Sequence, residues 1–213
     1  MSVKPKIMTV YGTRPEAIKV APVVSALQND DRFESVVVST GQHKEMLEQV
    51  NKRFGITPDH DMALMKPGQT LNELVSRAIQ GLDPIIEEEK PDVIVSQGDT
   101  STAMVAALAG FHKGVKVVHL EAGLRTGNIF SPFPEEANRK IIGQITSLHL
   151  APTNESRENL RRENFRSKDI VVTGNTVIDA LLAASEWDVQ FEDPRLETLR
   201  NSDKKVVLVT THR

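Results

Sequence analysis

The sequence predicts an α/β domain built on a doubly wound, mostly parallel sheet. Three observations lead there. Short runs of Val, Ile and Leu recur with hardly a polar interruption, the pattern of strands buried on both faces. An amphipathic stretch follows each run but the last, and strand alternating strictly with helix implies right-handed βαβ units. Gly or Thr beside an ionisable or amide side chain recurs just after the runs, at the edge where such sheets bind ligands.

In chain order, strands are expected at 7–11, 35–40, 93–96, 115–120, 148–151, 170–173 and 206–210, and helices at 15–27, 44–54, 71–89, 101–112, 134–147, 155–164 and 177–187. Pro15 suits the first position of the first helix, which puts Arg14 at its N-cap. Asp99 precedes the helix that starts at 101, as an N-cap residue would. Glu135 and Glu136 fall in the first turn of another helix, where acids complement the macrodipole, and Glu135 to Arg139 has i,i+4 spacing. Segment 192–202 is polar and linker-like, with a short helical stretch at 194–200. The strand expected after it has no helix to cover it. We therefore expect one domain over 1–190, and over 191–213 a linker and the first strand of a second domain.

Composition narrows the function classes. A net charge of −3 and a pI near 6.1 give no basic footprint for nucleic acid. There are no cysteines, which removes thiolate nucleophiles, disulfides and Cys-based zinc sites. No apolar run approaches the ~20 residues that span a bilayer, and the apolar stretch near the N-terminus is too short for a signal sequence. These features point to a cytoplasmic protein.

The candidate chemistry lies at the strand ends. Arg14 and Lys19, near the exposed N–H groups of a helix start, suit an anion such as phosphate. Asp99 follows Gln97 and Gly98, either as a cap or as a carboxylate held at the ligand edge. Glu121 ends an apolar strand, where an acid must be paired or functional; Arg125 is a possible partner. His119 and Glu121 share one strand face, but the zinc deaminase pattern they suggest also needs cysteines, so no metal is expected. His212 follows the last strand. Neither a Walker A loop nor a GxGxxG turn occurs. An anion cradle and three carboxylates fit proton transfer on a phosphorylated or nucleotide-linked substrate best.

At these residues the sequence resembles the non-hydrolysing UDP-N-acetylglucosamine 2-epimerases of bacteria. The matching segments are GTRPEAIK at 12–19, TGQHKEML at 40–47, QGDTST at 97–102, HLEAGLRTGN at 119–128, PEEANR at 134–139, TGNTVIDAL at 173–181 and TTHR at 210–213. The resemblance implies the first half of a two-domain, glycosyltransferase-B-like architecture with a Rossmann-like first domain, in a cytoplasmic homodimer. It implies UDP-N-acetylglucosamine as substrate and a reaction with no cofactor and no metal: elimination of UDP, then re-addition with opposite protonation at C2. Carried over residue by residue, Arg14 and Lys19 would contact substrate, Asp99, Glu121 and Glu135 would be the acid/base candidates, and His212 would lie near the diphosphate. Gln42 and His43 match positions lining a second, activating UDP-N-acetylglucosamine site; Glu45 and Gly68 depart from that pattern. Three rivals stand beside this reading: a hydrolysing 2-epimerase, a UDP-sugar glycosyltransferase and a non-catalytic nucleotide-sugar-binding fragment.

Overall fold

The computed structural model describes residues 4–41, 44–191, 193–203 and 205–211. The chain divides into two compact units, Met1–Ala180 and Leu181–Arg213. The first carries a seven-stranded sheet in the order β3-β2-β1-β4-β5-β6-β7, every pairing parallel. Its strands are β1 (Lys6–Tyr11), β2 (Glu34–Ser39), β3 (His60–Asp61), β4 (Val93–Gln97), β5 (Lys116–Leu120), β6 (Leu148–Ala151) and β7 (Ile170–Val172). The helices are α1 (Arg14–Gln28), α2 (Lys44–Phe54), α3 (Leu71–Glu89), α4 (Ser101–His112), α5 (Glu135–Ile145), α6 (Asn154–Arg162) and α7 (Thr176–Ser185). This is the doubly wound parallel sheet expected from the alternation of runs, and the Rossmann-like first domain that the resemblance implies.

Burial explains why the strands read as unbroken apolar runs. Met8, Val10, Val36, Val38 and Ile94 pack with Leu74, Ala78 and Leu82 of α3 and Val105 and Ala106 of α4. Their neighbours of opposite parity, Tyr11, Val37 and Val95, pack with Ala17, Val20, Ala21 and Val24 of α1. Successive residues of a strand face opposite ways, so a sheet covered on both sides must be apolar at nearly every position.

The strand order reverses between β1 and β4, which places the topological switch point at their carboxyl ends. Two loops meet there, one after β1 and one after β4. The first packs tightly at Gly12, where a Cβ would stand 2.2 Å from Oγ1 of Thr40, just past β2, and 2.7 Å from Oγ1 of Thr102 in the first turn of α4. Only glycine fits between those two buried threonines.

Three expectations change. The N-cap of α1 is Thr13, with Arg14 as the first helical residue. Thr13 and Glu16 form a capping box that satisfies the helix start better than Arg14 could, and Pro15 lies one residue further in. Strand β3 was not expected; its two polar residues carry no apolar signal, yet they pair with Val38 and Ser39. Residues 205–211 form no strand. A strand exists through ladder bonds to a neighbour, and among the described residues nothing pairs with this run, so Val206, Val207, Leu208 and Val209 stand 62–86% exposed. In the second unit, α8 (Pro194–Arg200) forms as expected, capped by Asp193.

Candidate active site

The turn after β4 gathers the site. Gln97, Gly98, Asp99 and Thr100 are consecutive, and each is bonded to a different part of the fold. Gln97 Nε2 donates to Glu121 Oε2 at 2.8 Å. Gly98, at φ +74°, turns its carbonyl to His119 Nε2 at 2.7 Å. Asp99 Oδ2 accepts from Arg139 Nε at 2.8 Å and its NH2 group at 2.6 Å. The Thr100 hydroxyl donates to Glu16 and also caps α4 at Ala103 N.

Glu121 sits just past β5 in the left-handed region, at φ +67°. That conformation costs a non-glycine residue about 1 kcal/mol. The carboxylate is held by four donor contacts. Lys19 Nζ lies 2.8 Å from Oε1 and 2.6 Å from Oε2, Gln97 bonds Oε2, and Asn175 Nδ2 donates to Oε1 at 3.0 Å. Arg125, the partner suggested by spacing, is taken instead by Glu163 through a two-pronged pair at 2.8 Å each. That pair, with Lys140 as a second cation at 2.9 Å, pulls the Glu163 carboxyl down to about 2 against the opposing effect of burial.

Arg139 does not pair with Glu135. Its guanidinium bridges Asp99 and Glu136, reaching Glu136 Oε2 at 2.9 Å. Glu136 is fully buried. Burial alone would raise its pKa, but Arg139 and the N–H groups of Thr126 and Gly127 outweigh that and hold it below the usual carboxylate range. The neighbouring Asn138 fixes the Asp99 carbonyl through a 2.8 Å bond. Glu135 is half-buried and has no polar partner among the described residues, so of the three candidate carboxylates it is the one left unpaired.

The anion cradle expected at the start of α1 is already filled. Gly12 N and Thr13 N both donate to Glu16 Oε2, at 2.8 and 2.7 Å, and Pro15 has no N–H. Glu16 is buried, and the loss of hydration raises its pKa against the pull of its hydrogen bonds. An anion would therefore meet cationic side chains here rather than a free helix terminus. Arg14 is exposed and has no ion-pair partner among the described residues, while Lys19 is committed to Glu121.

His119 and Glu121 form no chelating pair, because His119 bonds Gly98 inside the sheet. No group of three or more His, Asp or Glu side chains gathers to hold a metal among the described residues. No described helix is long and apolar enough to cross a membrane. His212, Gln42 and His43 lie outside the described residues. Sequence reasoning missed Gln97 and Asn175 as partners of Glu121, and Arg139 as partner of Asp99. It read Glu16 only as a surface partner for Arg14 and Lys19, although Thr13-x-x-Glu16 is a legible capping box.

Comparisons with known proteins identify the family. The family described as UDP-N-acetylglucosamine 2-epimerase matches residues 25–213. A Yersinia pestis UDP-N-acetylglucosamine 2-epimerase is 51% identical, over 98% of this chain and 57% of its own length. The crystal structure of a putative UDP-N-acetylglucosamine 2-epimerase from Listeria monocytogenes superposes with a TM-score of 0.88 at 47% identity, covering 94% of this chain and 52% of that one. The Neisseria meningitidis UDP-GlcNAc 2-epimerase, solved bound to UDP-GlcNAc, gives a TM-score of 0.82 at 45% identity, covering 92% and 50%. The chain thus spans about half the length of these relatives, and on its sequence and its sheet alike it belongs to the UDP-N-acetylglucosamine 2-epimerase family.

Proposed function

We propose that this chain supplies the first of two domains to an enzyme that interconverts UDP-N-acetylglucosamine and UDP-N-acetylmannosamine without net hydrolysis of the bond between sugar and UDP. The observation that carries the reading is the site at the switch point: a fixed ammonium, a free guanidinium and an unpaired carboxylate beside two clamped ones. In the forward direction a base removes the proton from C2, the C1–O bond breaks, and UDP leaves with the bonding pair. Re-addition of UDP oxygen at C1 with protonation of C2 from the opposite face gives the epimer. Glu135 and Asp99 are the candidates for moving that proton. Arg14 and Lys19 offset the charge that gathers on the departing diphosphate, the kind of electrostatic help such a transition state needs most. The matched relatives' greater length supports a second domain as the other wall of the cleft, and the family resemblance assigns His212 to the diphosphate. The enzyme would act in the cytoplasm as a homodimer, with Gln42 and His43 bordering a second UDP-N-acetylglucosamine site that activates it.

Turnover of UDP-N-acetylglucosamine by the full-length protein in D2O tests this. Product that retains UDP and carries deuterium at C2 is expected. Release of free N-acetylmannosamine would favour the hydrolysing alternative, and a product that keeps its original C2 proton would exclude elimination.

A further inference from the structure

We propose that Asn175 and Gln97 are positioning residues that act through Glu121 to set the Lys19 ammonium. This deepens the reading of the site as one for a nucleoside diphosphate sugar and rests on it.

A carboxylate has about four acceptor sites. In Glu121 they are met by Lys19 twice, by Gln97 and by Asn175. With its acceptor sites filled, Glu121 would have to give up a contact before it could take a proton, so its part in the site is to hold Lys19. The clamp is built from distant segments: Lys19 is 102 residues from Glu121, Asn175 is 54 and Gln97 is 24. Lys19 itself has a long flexible stem, and it rises from a helix whose first-turn N–H groups are mostly engaged already. Where its charge sits is therefore decided by Glu121, and Glu121 is steered by the two amides.

Asn175 uses both ends of its side chain. Nδ2 donates to Glu121 Oε1, and Oδ1 accepts from Val177 N at 3.1 Å as a cap on α7. The two roles can be separated. Asn175→Asp keeps a good capping oxygen but puts an acceptor where Glu121 needs a donor. Gln97→Glu makes the same exchange on β4, independently of any helix cap.

The test uses full-length protein with three readouts: kcat and KM for UDP-N-acetylglucosamine, UDP affinity by calorimetry, and the thermal midpoint. Asn175→Asp and Gln97→Glu should each lower kcat about 10- to 100-fold, the scale of a slightly misplaced group, and weaken UDP. The midpoint should change little for Asn175→Asp, which is half-buried and keeps its capping oxygen, and fall for Gln97→Glu, which sets a second carboxylate against Glu121 in a buried place. In a Lys19→Ala background either substitution should have almost no further effect on UDP affinity, because the residue through which it acts is gone. Wild-type UDP affinity and kcat in both variants, or full additivity with Lys19→Ala, would overturn the proposal. If the wild type does not convert the sugar, the epimerase reading fails, while the UDP titrations still decide the clamp.

Discussion

Stability should fall steeply as pH drops from 7.5 to 5, and two buried histidines should account for most of the fall. His119 and His149 face each other in the β5–β6 ladder, both 1% exposed. Each Nδ1 is buried with no hydrogen-bond partner among the described residues. Burial is the main force that pushes both imidazoles down to about 4. For His119 it is opposed by the Gly98 carbonyl and by Asp99 and helped by Arg125 and Arg139; for His149 it is helped by His119 and Arg125 and opposed by Asp169 and Glu163. The folded value lies below the unfolded value of about 6.5, so the unfolded chain binds protons first. The stabilisation is complete above 6.5 and is lost as pH falls toward 4. Between pH 7.5 and 5 each histidine should therefore cost about 2 kcal/mol, or about 4 kcal/mol together, a large share of the 5–15 kcal/mol typical of a domain. Glu16 works in the opposite sense, since its raised pKa favours the fold at low pH, but it is common to all variants and cancels in their comparison. Urea denaturation at the two pH values would measure the loss in the wild type, in His149→Leu and in His119→Gln, whose amide can still reach the Gly98 carbonyl. Each substitution should remove about half of the pH-dependent loss. The same loss in wild type and variants would refute the assignment to these histidines.

Two further outcomes follow from the loops at the switch point. Gly12→Ala would press a methyl group between Thr40 and Thr102; overpacking of that kind costs about 2 kcal/mol, or about 4–8 °C in Tm for a domain of this size, and an unchanged Tm would mean Gly12 is not tightly packed there. Arg14→Ala and Lys19→Ala should both weaken UDP binding in calorimetry, with Arg14→Ala leaving Tm unchanged because that side chain is exposed and unpaired; UDP titrating normally into both would remove the cationic pair from the site.

The fold was legible because its signal is local and redundant. Residues on both faces of β1, β2 and β4 are apolar at most positions, and stretches such as 36–38 report that directly. The expectation failed where the local signal is weak or misleading. His60 and Asp61 join the sheet through backbone bonds that ask nothing of their side chains. At α1, Pro15 satisfies two positions of a helix start equally well, and only the reciprocal bonds of Thr13 and Glu16 decide which one it takes. Residues 206–210 have the composition of a buried strand, but composition cannot supply the partner strand that would make them one.

The candidate site offered its charged residues to sequence reasoning but hid their pairings. Spacing along a helix or strand offers a partner to every charge: Arg139 to Glu135, Arg125 to Glu121, Glu16 to Lys19. The structure uses none of these. Arg139 turns to Asp99, 40 residues away, and to Glu136; Arg125 goes to Glu163, Glu121 to Lys19, and Glu16 to the N–H groups of its own loop and to Thr100. A local pair on an exposed face is worth only a few tenths of a kcal/mol, and it yields readily when a less exposed partner with a better fork geometry is available. Each rejected local pair frees a charge to reach across the strand ends, and three of the four reaches land on or beside the turn 97–100. Because consecutive residues of that turn are tied to β5, α5 and α1, no one of them can shift without loosening contacts to another element. Glu135 is left out of this lattice with no polar partner among the described residues, whereas Asp99 is held through Oδ2 alone and Glu121 through both oxygens.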